Sequence, residues 1–413
     1  MQGKDEKKNR ILFPFHNCSR RVIRPVMEDD EEKHDSELLR QIHPLLIAFL
    51  FTGLDFRQQR PYQRTPNSAC RETVIKISCA LIHIISWVFA LLFIWGAFAN
   101  EDSLPRKQDI INRLMEILII FLRSVLYRQR KVVVNTLNLL SKAYDKIKCK
   151  SKYLSREIIL ILLIVYPGTY ILMYVLVFIS FSDKNKLYFE NFVRRNYGNV
   201  VPLTLTLHAY YVLGVIDCIL FSINSFTMCL FVILVLVVFT RLNLILQHYF
   251  KSVNSPGATF EVLQKRFMSV MNAVKKVDEC LCFPMFVILG IHILFLFYIL
   301  SFFYWPASWL KNLSVAIDVF FYMMFVLYVL QYCAMTTSAA KIHEAVQNIK
   351  IEVAKMSSRP SQLTAVEQLL LIAEVNSHSN ICLTVWGFMN ITKSFVFSSF
   401  GALLTFGILL RDL

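Results

Sequence analysis

Five ionisable side chains stand inside long apolar runs of this 413-residue chain: Glu116, Arg123, Asp217, Asp318 and Lys393. A charge in hydrocarbon is costly, so each marks either a functional group or a structural ion pair, or snorkels to an interface. Asp217 is the most informative. Tyr210 and Asn224 stand seven residues to either side of it, about two helical turns, and Phe221 lies between them on the same face. Tyr298, Phe302 and Trp305 follow i, i+4, i+7 spacing in a later run, and Asp318 and Tyr322 stand one turn apart in the next. Carboxylates accept hydrogen bonds from hydroxyls or pair with an amine, and aromatic rings stack on sugar faces or on a cation. An apolar pocket with a few polar anchors is the usual form of a small-molecule site. These residues are therefore a candidate ligand-binding set. The competing reading is an aromatic belt, which occurs at the same depth of a bilayer.

No pattern points to an enzyme. The chain has no Ser-His-Asp ordering, no phosphate-cradling Gly loop and no metal-spaced His/Glu cluster. The Cys-Leu-Cys step at 280–282 lacks a second pair or a histidine to complete a metal site, and His292 is read as a packed or hydrogen-bonded histidine. No cofactor is implied.

The elements that must hold these residues are membrane helices. The chain is 56% hydrophobic and 18% charged, whereas soluble domains carry about 25% charged residues. Seven segments are long and apolar enough to cross a bilayer, at roughly 74–98, 111–130, 157–181, 203–240, 282–304, 314–338 and 382–410. The second is the weakest, because it carries Glu116 and Arg123. Residues 1–36 are polar and read as a flexible cytosolic tail without a signal peptide. A shorter apolar stretch at 38–56 reads as an interfacial or core-packing helix within a 37–73 linker region, with an eighth span as the alternative.

The net charge of +15 raises a nucleic-acid reading, but no nucleic-acid motif accompanies it. Its distribution serves topology instead. Segments 1–73, 128–156, 241–281 and 339–381 hold 13, 9, 6 and 4 Lys and Arg residues, against 3, 4, 1 and 1 in 99–113, 182–207, 305–313 and the tail after 410. The positive-inside rule places the first set in the cytosol, with the N-terminus inside and the C-terminus outside. All ten cysteines fall in spans or cytosolic segments, away from the oxidising side that favours disulfides. G-protein-coupled receptors have the opposite threading, and their DRY and NPxxY motifs are absent from this sequence.

Several helices outrun the membrane. Residues 200–250 read as one helix of about 75 Å against a hydrocarbon core of about 30 Å. Apolar residues continue at helical spacing beyond the spans: Phe260, Leu263, Phe267, Val270, Val274, Val277 and Leu281; then Ile342, Val346, Ile349, Val353 and Met356; then Leu363, Val366, Leu370 and Ala373. These stripes predict a cytosolic helical bundle built at 241–281 and 339–381 from extensions of spans 4 to 7. It would serve packing within the subunit, contact between subunits, or both. The fold class expected is thus an all-α membrane protein with seven spans and a cytosolic anchor bundle.

The C-terminal run of the chain, from Trp386-Gly387-Phe388 through Gly401 to Thr405-Phe406-Gly407-Ile408-Leu409-Leu410-Arg411-Asp412-Leu413, resembles the last span of insect gustatory receptors. That family shows a Gly-Phe step, a Gly before the signature, and then TYhhhhhQF, where h is apolar. Thr405 is identical to the signature and Phe406 replaces Tyr, while Arg411, Asp412 and Leu413 depart from it. Chain length, span number and the long inner helices also look like the family.

The resemblance implies a plasma-membrane, multi-pass, ligand-gated cation channel, assembled as a homo- or heterotetramer. Four copies of the outer half of span 7 would line the pore, with Thr405, Phe406, Leu409, Asp412 and Leu413 as pore and gate residues. Each subunit would bind a small-molecule tastant, bitter by default, in an outer-facing pocket. An acidic ring at Asp412 would favour cations. The alternatives are an insect odorant receptor, whose span 7 signature differs, a secondary transporter, which would show repeat symmetry, and a non-channel membrane adaptor.

Overall fold

The computed structural model describes residues 37–57, 66–98, 107–147, 157–165, 168–169, 207–253, 259–304, 315–355, 363–377 and 382–412, all within one compact unit, Ser36–Leu413. Of span 3, only 157–165 and 168–169 fall among them. The elements are α1 (Glu37–Phe51), α2 (Pro66–Phe98), α3 (Lys107–Ile147), α4 (Leu207–Val253), α5 (Phe260–Tyr304), α6 (Val315–Lys355), α7 (Ala365–Ser377), β1 (Thr384–Val385), β2 (Met389–Asn390) and α8 (Lys393–Asp412). Residues 157–165 are also helical.

Helix α4 is the axis of the fold. Its 47 residues run about 70 Å at 1.5 Å each, and 78% of its most apolar window is buried within the chain. It is apolar all round from Met228 through Phe239, as a helix must be when neighbours cover every side. Helices α3, α5 and α6 pack around it. Helix α2 lies outside this core, with only 17% of its apolar window buried. Its Ile77, Leu81, Ile84, Ile85, Val88 and Leu91 are exposed, which suits a face turned to lipid. By length and apolarity α2, α4, α5 and α6 can each cross a membrane.

Helix α1 is buried on one side: Leu38, Ile42, Leu45 and Phe49 pack against α3 and α4. The buried Arg241 of α4 fastens it, donating to Gln41 Oε1 at 2.6 Å and to Tyr144 Oη of α3 at 2.9 Å. Its C-terminus is a Schellman motif. Leu54 N–H bonds Phe49 C=O and Gly53 N–H bonds Leu50 C=O, both at 3.0 Å, with Gly53 at φ +82°.

Two sequence expectations shift. The bundle of helix extensions also draws on span 2, because α3 continues unbroken to Ile147 and packs along α5, burying Val133, Leu137, Leu140 and Tyr144. Helix α7 turns a different face inward from the one its spacing predicted. Leu363, Leu371 and Val375 are buried, while Val366 and Leu370 are exposed. A capping box sets this register. Thr364 N–H bonds Glu367 Oε2 at 2.8 Å and Glu367 N–H bonds Thr364 Oγ1 at 3.3 Å, so the helix begins after Leu363 and the 3.6-residue period counts from there.

The expected start of span 7 also moves. Helix α8 begins at Lys393, and residues 384–390 form a β-hairpin, with Thr384 opposite Asn390 and Val385 opposite Met389. Trp386 (φ 51°) and Gly387 (φ 73°) both lie in the left-handed region, as a type I′ turn requires. Trp386 packs on Phe283 and Phe286 of α5, with ring centroids 5.5 and 4.8 Å away, and its N–H bonds Cys282 C=O at 3.2 Å. Asp278 accepts Thr384 N–H at 2.6 Å and its hydroxyl at 3.0 Å. The Trp-Gly-Phe step is thus a turn that docks the chain onto α5 before the last helix rises.

Candidate functional site

Arg123 of α3 has no exposed surface. Its Nη1 donates to Ser86 Oγ of α2 at 3.0 Å and to Asn224 Oδ1 of α4 at 2.8 Å, and its Nη2 donates to Thr52 C=O at 2.5 Å. Thr52 ends α1, so this carbonyl is one a helix terminus leaves without an internal partner. The negative end of the α1 dipole therefore faces the guanidinium. One planar fork ties α1, α2, α3 and α4 together, which a lysine could not do with a single ammonium. Gly53 makes room for it: a Cβ there would stand 2.8 Å from Arg123 Nη2.

Above this cluster a cleft of about 370 Å³, including its open mouth, lies among α2, α3 and α4. Its walls are Phe89, Ala90, Ile119, Ile120, Leu220 and Phe221, and its polar groups are Ser86, Glu116 and Asn224. Glu116 and Arg123 are seven residues apart on α3, about two turns, so both face this region. Ser86 donates to Ile82 C=O at 2.8 Å while accepting from Arg123. A polar seam continues between α2 and α3, where Trp87 Nε1 donates to Ser124 Oγ at 2.9 Å and His83 stacks on Tyr127.

The candidate ligand set is distributed as follows. Phe221 and Asn224 line this cleft together, facing α2 and α3. Tyr298 is half-buried on α5 beside Phe295, and Tyr322 is exposed on α6. The backbone of α4, α5 and α6 carries Tyr210, Asp217, Phe302 and Asp318, but their side chains lie outside the described ones, as does Trp305 altogether. Glu116 and Arg123 were legible as charges in an apolar run. Ser86 and Thr52 were not, because a serine in an apolar helix and a backbone carbonyl carry no spacing signal.

A second polar contact joins α5 to α6. His292, fully buried, places Nδ1 2.7 Å from Ile288 C=O and Nε2 2.9 Å from the Gln331 side-chain amide. Phe295 stacks on Tyr328 one turn away, with centroids 3.8 Å apart. Further along α6, Tyr332 Oη donates to Ser399 Oγ of α8 at 2.5 Å. On α8, Thr405 is exposed and bonds Gly401 C=O at 2.8 Å. Phe406, Leu409 and Asp412 stand on the same helix with side chains outside the described ones, and Leu413 lies outside the described residues. Lys393 is largely exposed and ion-paired with Glu344. Among the described residues no group of three or more His, Cys, Asp or Glu side chains could hold a metal ion.

No protein-family model matches the chain, and no curated protein matches it in sequence. Solved structures do match its fold. The structure of the insect olfactory receptor OR5 from Machilis hrabei superposes with a TM-score of 0.61 at 12% identity, covering 90% of this chain and 98% of that one. The same receptor in complex with eugenol superposes with a TM-score of 0.55 at 12% identity, covering 91% and 98%. The chain therefore has the fold of an insect olfactory receptor, with four described helices long and apolar enough to cross a membrane.

Proposed function

We propose that this chain is a gustatory receptor subunit: a ligand-gated, non-selective cation channel opened by a small-molecule tastant. The observation that carries the reading is a cleft walled by Phe89 and Phe221 and floored by Asn224 and Ser86, inside a fold otherwise seen in a receptor solved with eugenol. With the basic segments in the cytosol, that cleft would lie in the outer half of the membrane. The gustatory assignment rests on Gly401, Thr405 and Phe406 at their places in the last helix. The fold likeness to an olfactory receptor favours the second reading, an odorant receptor channel.

Gating is a population shift in which ligand binds the open state more tightly than the closed one. Two contacts support a route from the spans to the pore helix. His292 and Gln331 couple α5 to α6, and Tyr332 and Ser399 couple α6 to α8. Assembly as a homo- or heterotetramer would bring four α8 helices together around permeating cations. Calcium imaging of cells expressing this chain, alone and with related subunits, tests the reading against matched panels of tastants and volatile odorants. Entry evoked by tastants supports it. Entry evoked only by odorants replaces it with the second reading.

A further inference from the structure

The cleft floor has a fixed hydrogen-bonding polarity. Arginine has donors and no acceptor, so only Asn224 Oδ1 can face Arg123 Nη1 at 2.8 Å, and the amide orientation is forced. The group left at the cleft is the Asn224 NH2, a pure donor, with a buried cation behind it that polarises it further. Ser86 cannot offset this. Its proton is spent on Ile82 C=O and one of its lone pairs on Arg123. The walls, Phe89, Ile119, Ile120, Leu220 and Phe221, take a compact apolar or aromatic body.

We infer that the cleft favours ligands bearing an exposed oxygen acceptor, such as ketones, esters and lactones, and that Asn224 Nδ2 donates to that oxygen. Arg123 is a positioning residue: it touches no ligand but holds the amide with its donor outward. This deepens the ligand-site reading above and rests on it. A site that donates to a ligand atom discriminates strongly against the analogue lacking that atom, since the buried donor is then left unpaired.

The test uses the full chain, purified into lipid nanodiscs, with acetophenone and ethylbenzene as probes. Acetophenone is expected to bind at least about tenfold more tightly than ethylbenzene. Asn224→Asp keeps acceptors for Arg123, so the fold survives, but it offers no donor. It should reduce acetophenone to the level of ethylbenzene and leave ethylbenzene unchanged. Arg123→Lys, which loses the fork, should narrow the acetophenone-to-ethylbenzene ratio, a readout that a merely structural role would not move. Equal binding of acetophenone and ethylbenzene, no binding of any probe, or full discrimination in Asn224→Asp overturns the inference. Whole-cell currents recorded in parallel separate this from the channel reading. Discriminating binding without current sinks the channel and upholds the site, while current indifferent to the acceptor sinks the site and leaves the channel.

Discussion

Arg123 and Asn224, 101 positions apart, meet across 2.8 Å where four helical elements converge beneath the cleft. The guanidinium is wholly buried, and its partners are a serine hydroxyl, an asparagine amide oxygen and the last carbonyl of α1. The contact thus belongs both to the fold and to the floor of the cleft.

That convergence leaves no room at Gly53. Its φ of +82° already disfavours a side chain, and an added Cβ would come within 2.8 Å of Arg123 Nη2. Gly53→Ala should destabilise the protein by about 2–3 kcal/mol, strain and displaced guanidinium together. Gly387 has a similar φ of +73° but nothing within 4 Å. Gly387→Ala should cost only about 1 kcal/mol, the backbone part alone. Thermal unfolding of the purified variants, followed by tryptophan fluorescence, checks the order. Equal losses would remove Arg123 from the explanation.

Much of this architecture was legible beforehand, and for identifiable reasons. The helical runs of α4, α5 and α6 exceed what a bilayer needs, so their great length follows from apolar content and periodicity. The charges of Glu116 and Arg123 stood out because hydrocarbon penalises them. The hairpin before α8 did not stand out. Trp-Gly-Phe inside an apolar run carries no alternation, and a tryptophan at φ 51° persists only because packing on Phe283 and Phe286 over-determines it. Nor could spacing tell that Asn224 would face α2 and α3, because helix periodicity groups residues on a face without naming the partner.

The link between α1 and α2 should be acid-sensitive. Asp55 is bound by Arg57 through Nε at 2.9 Å, Nη2 at 3.0 Å and the backbone N–H at 3.1 Å. Burial pushes the Asp55 carboxyl up, but the Arg57 hydrogen bonds and charge outweigh it and hold it below the usual carboxylate range. A carboxyl lowered in the folded state adds stability above its unfolded pKa, and that stability is lost as pH falls through the folded value. Melting temperature should therefore fall from pH 5 downward more steeply in the native chain than in Asp55→Asn. Parallel curves would count against the pair.

Tyr332 and Ser399 form one of the contacts by which α6 meets the last helix, beside the Lys393–Glu344 ion pair. Tyr332→Phe removes the donor and keeps the ring that packs edge-on against Phe400. A lost hydrogen bond of about 1 kcal/mol corresponds to a roughly fivefold shift in a two-state equilibrium. Ligand concentration–response curves should move to higher concentration by about that factor, with surface expression unchanged. An unmoved curve places the coupling elsewhere.

Asp412, near the end of α8, stands where the gustatory signature that this run resembles has a neutral residue. If four copies ring the outer mouth, they raise local cation density. Asp412→Asn should lower the cation-to-chloride permeability ratio, read from reversal potentials in diluted external salt. An unchanged ratio removes the acidic ring from the account.

Whole-cell recording from cells expressing this chain, alone and with related subunits, bears most directly on whether it forms a ligand-gated cation channel. A small-molecule tastant should evoke an inward current that reverses near 0 mV and disappears when large organic cations replace all external small ones. Ligand that binds the protein yet evokes no current in any subunit combination would contradict the account and leave a membrane receptor that does not conduct.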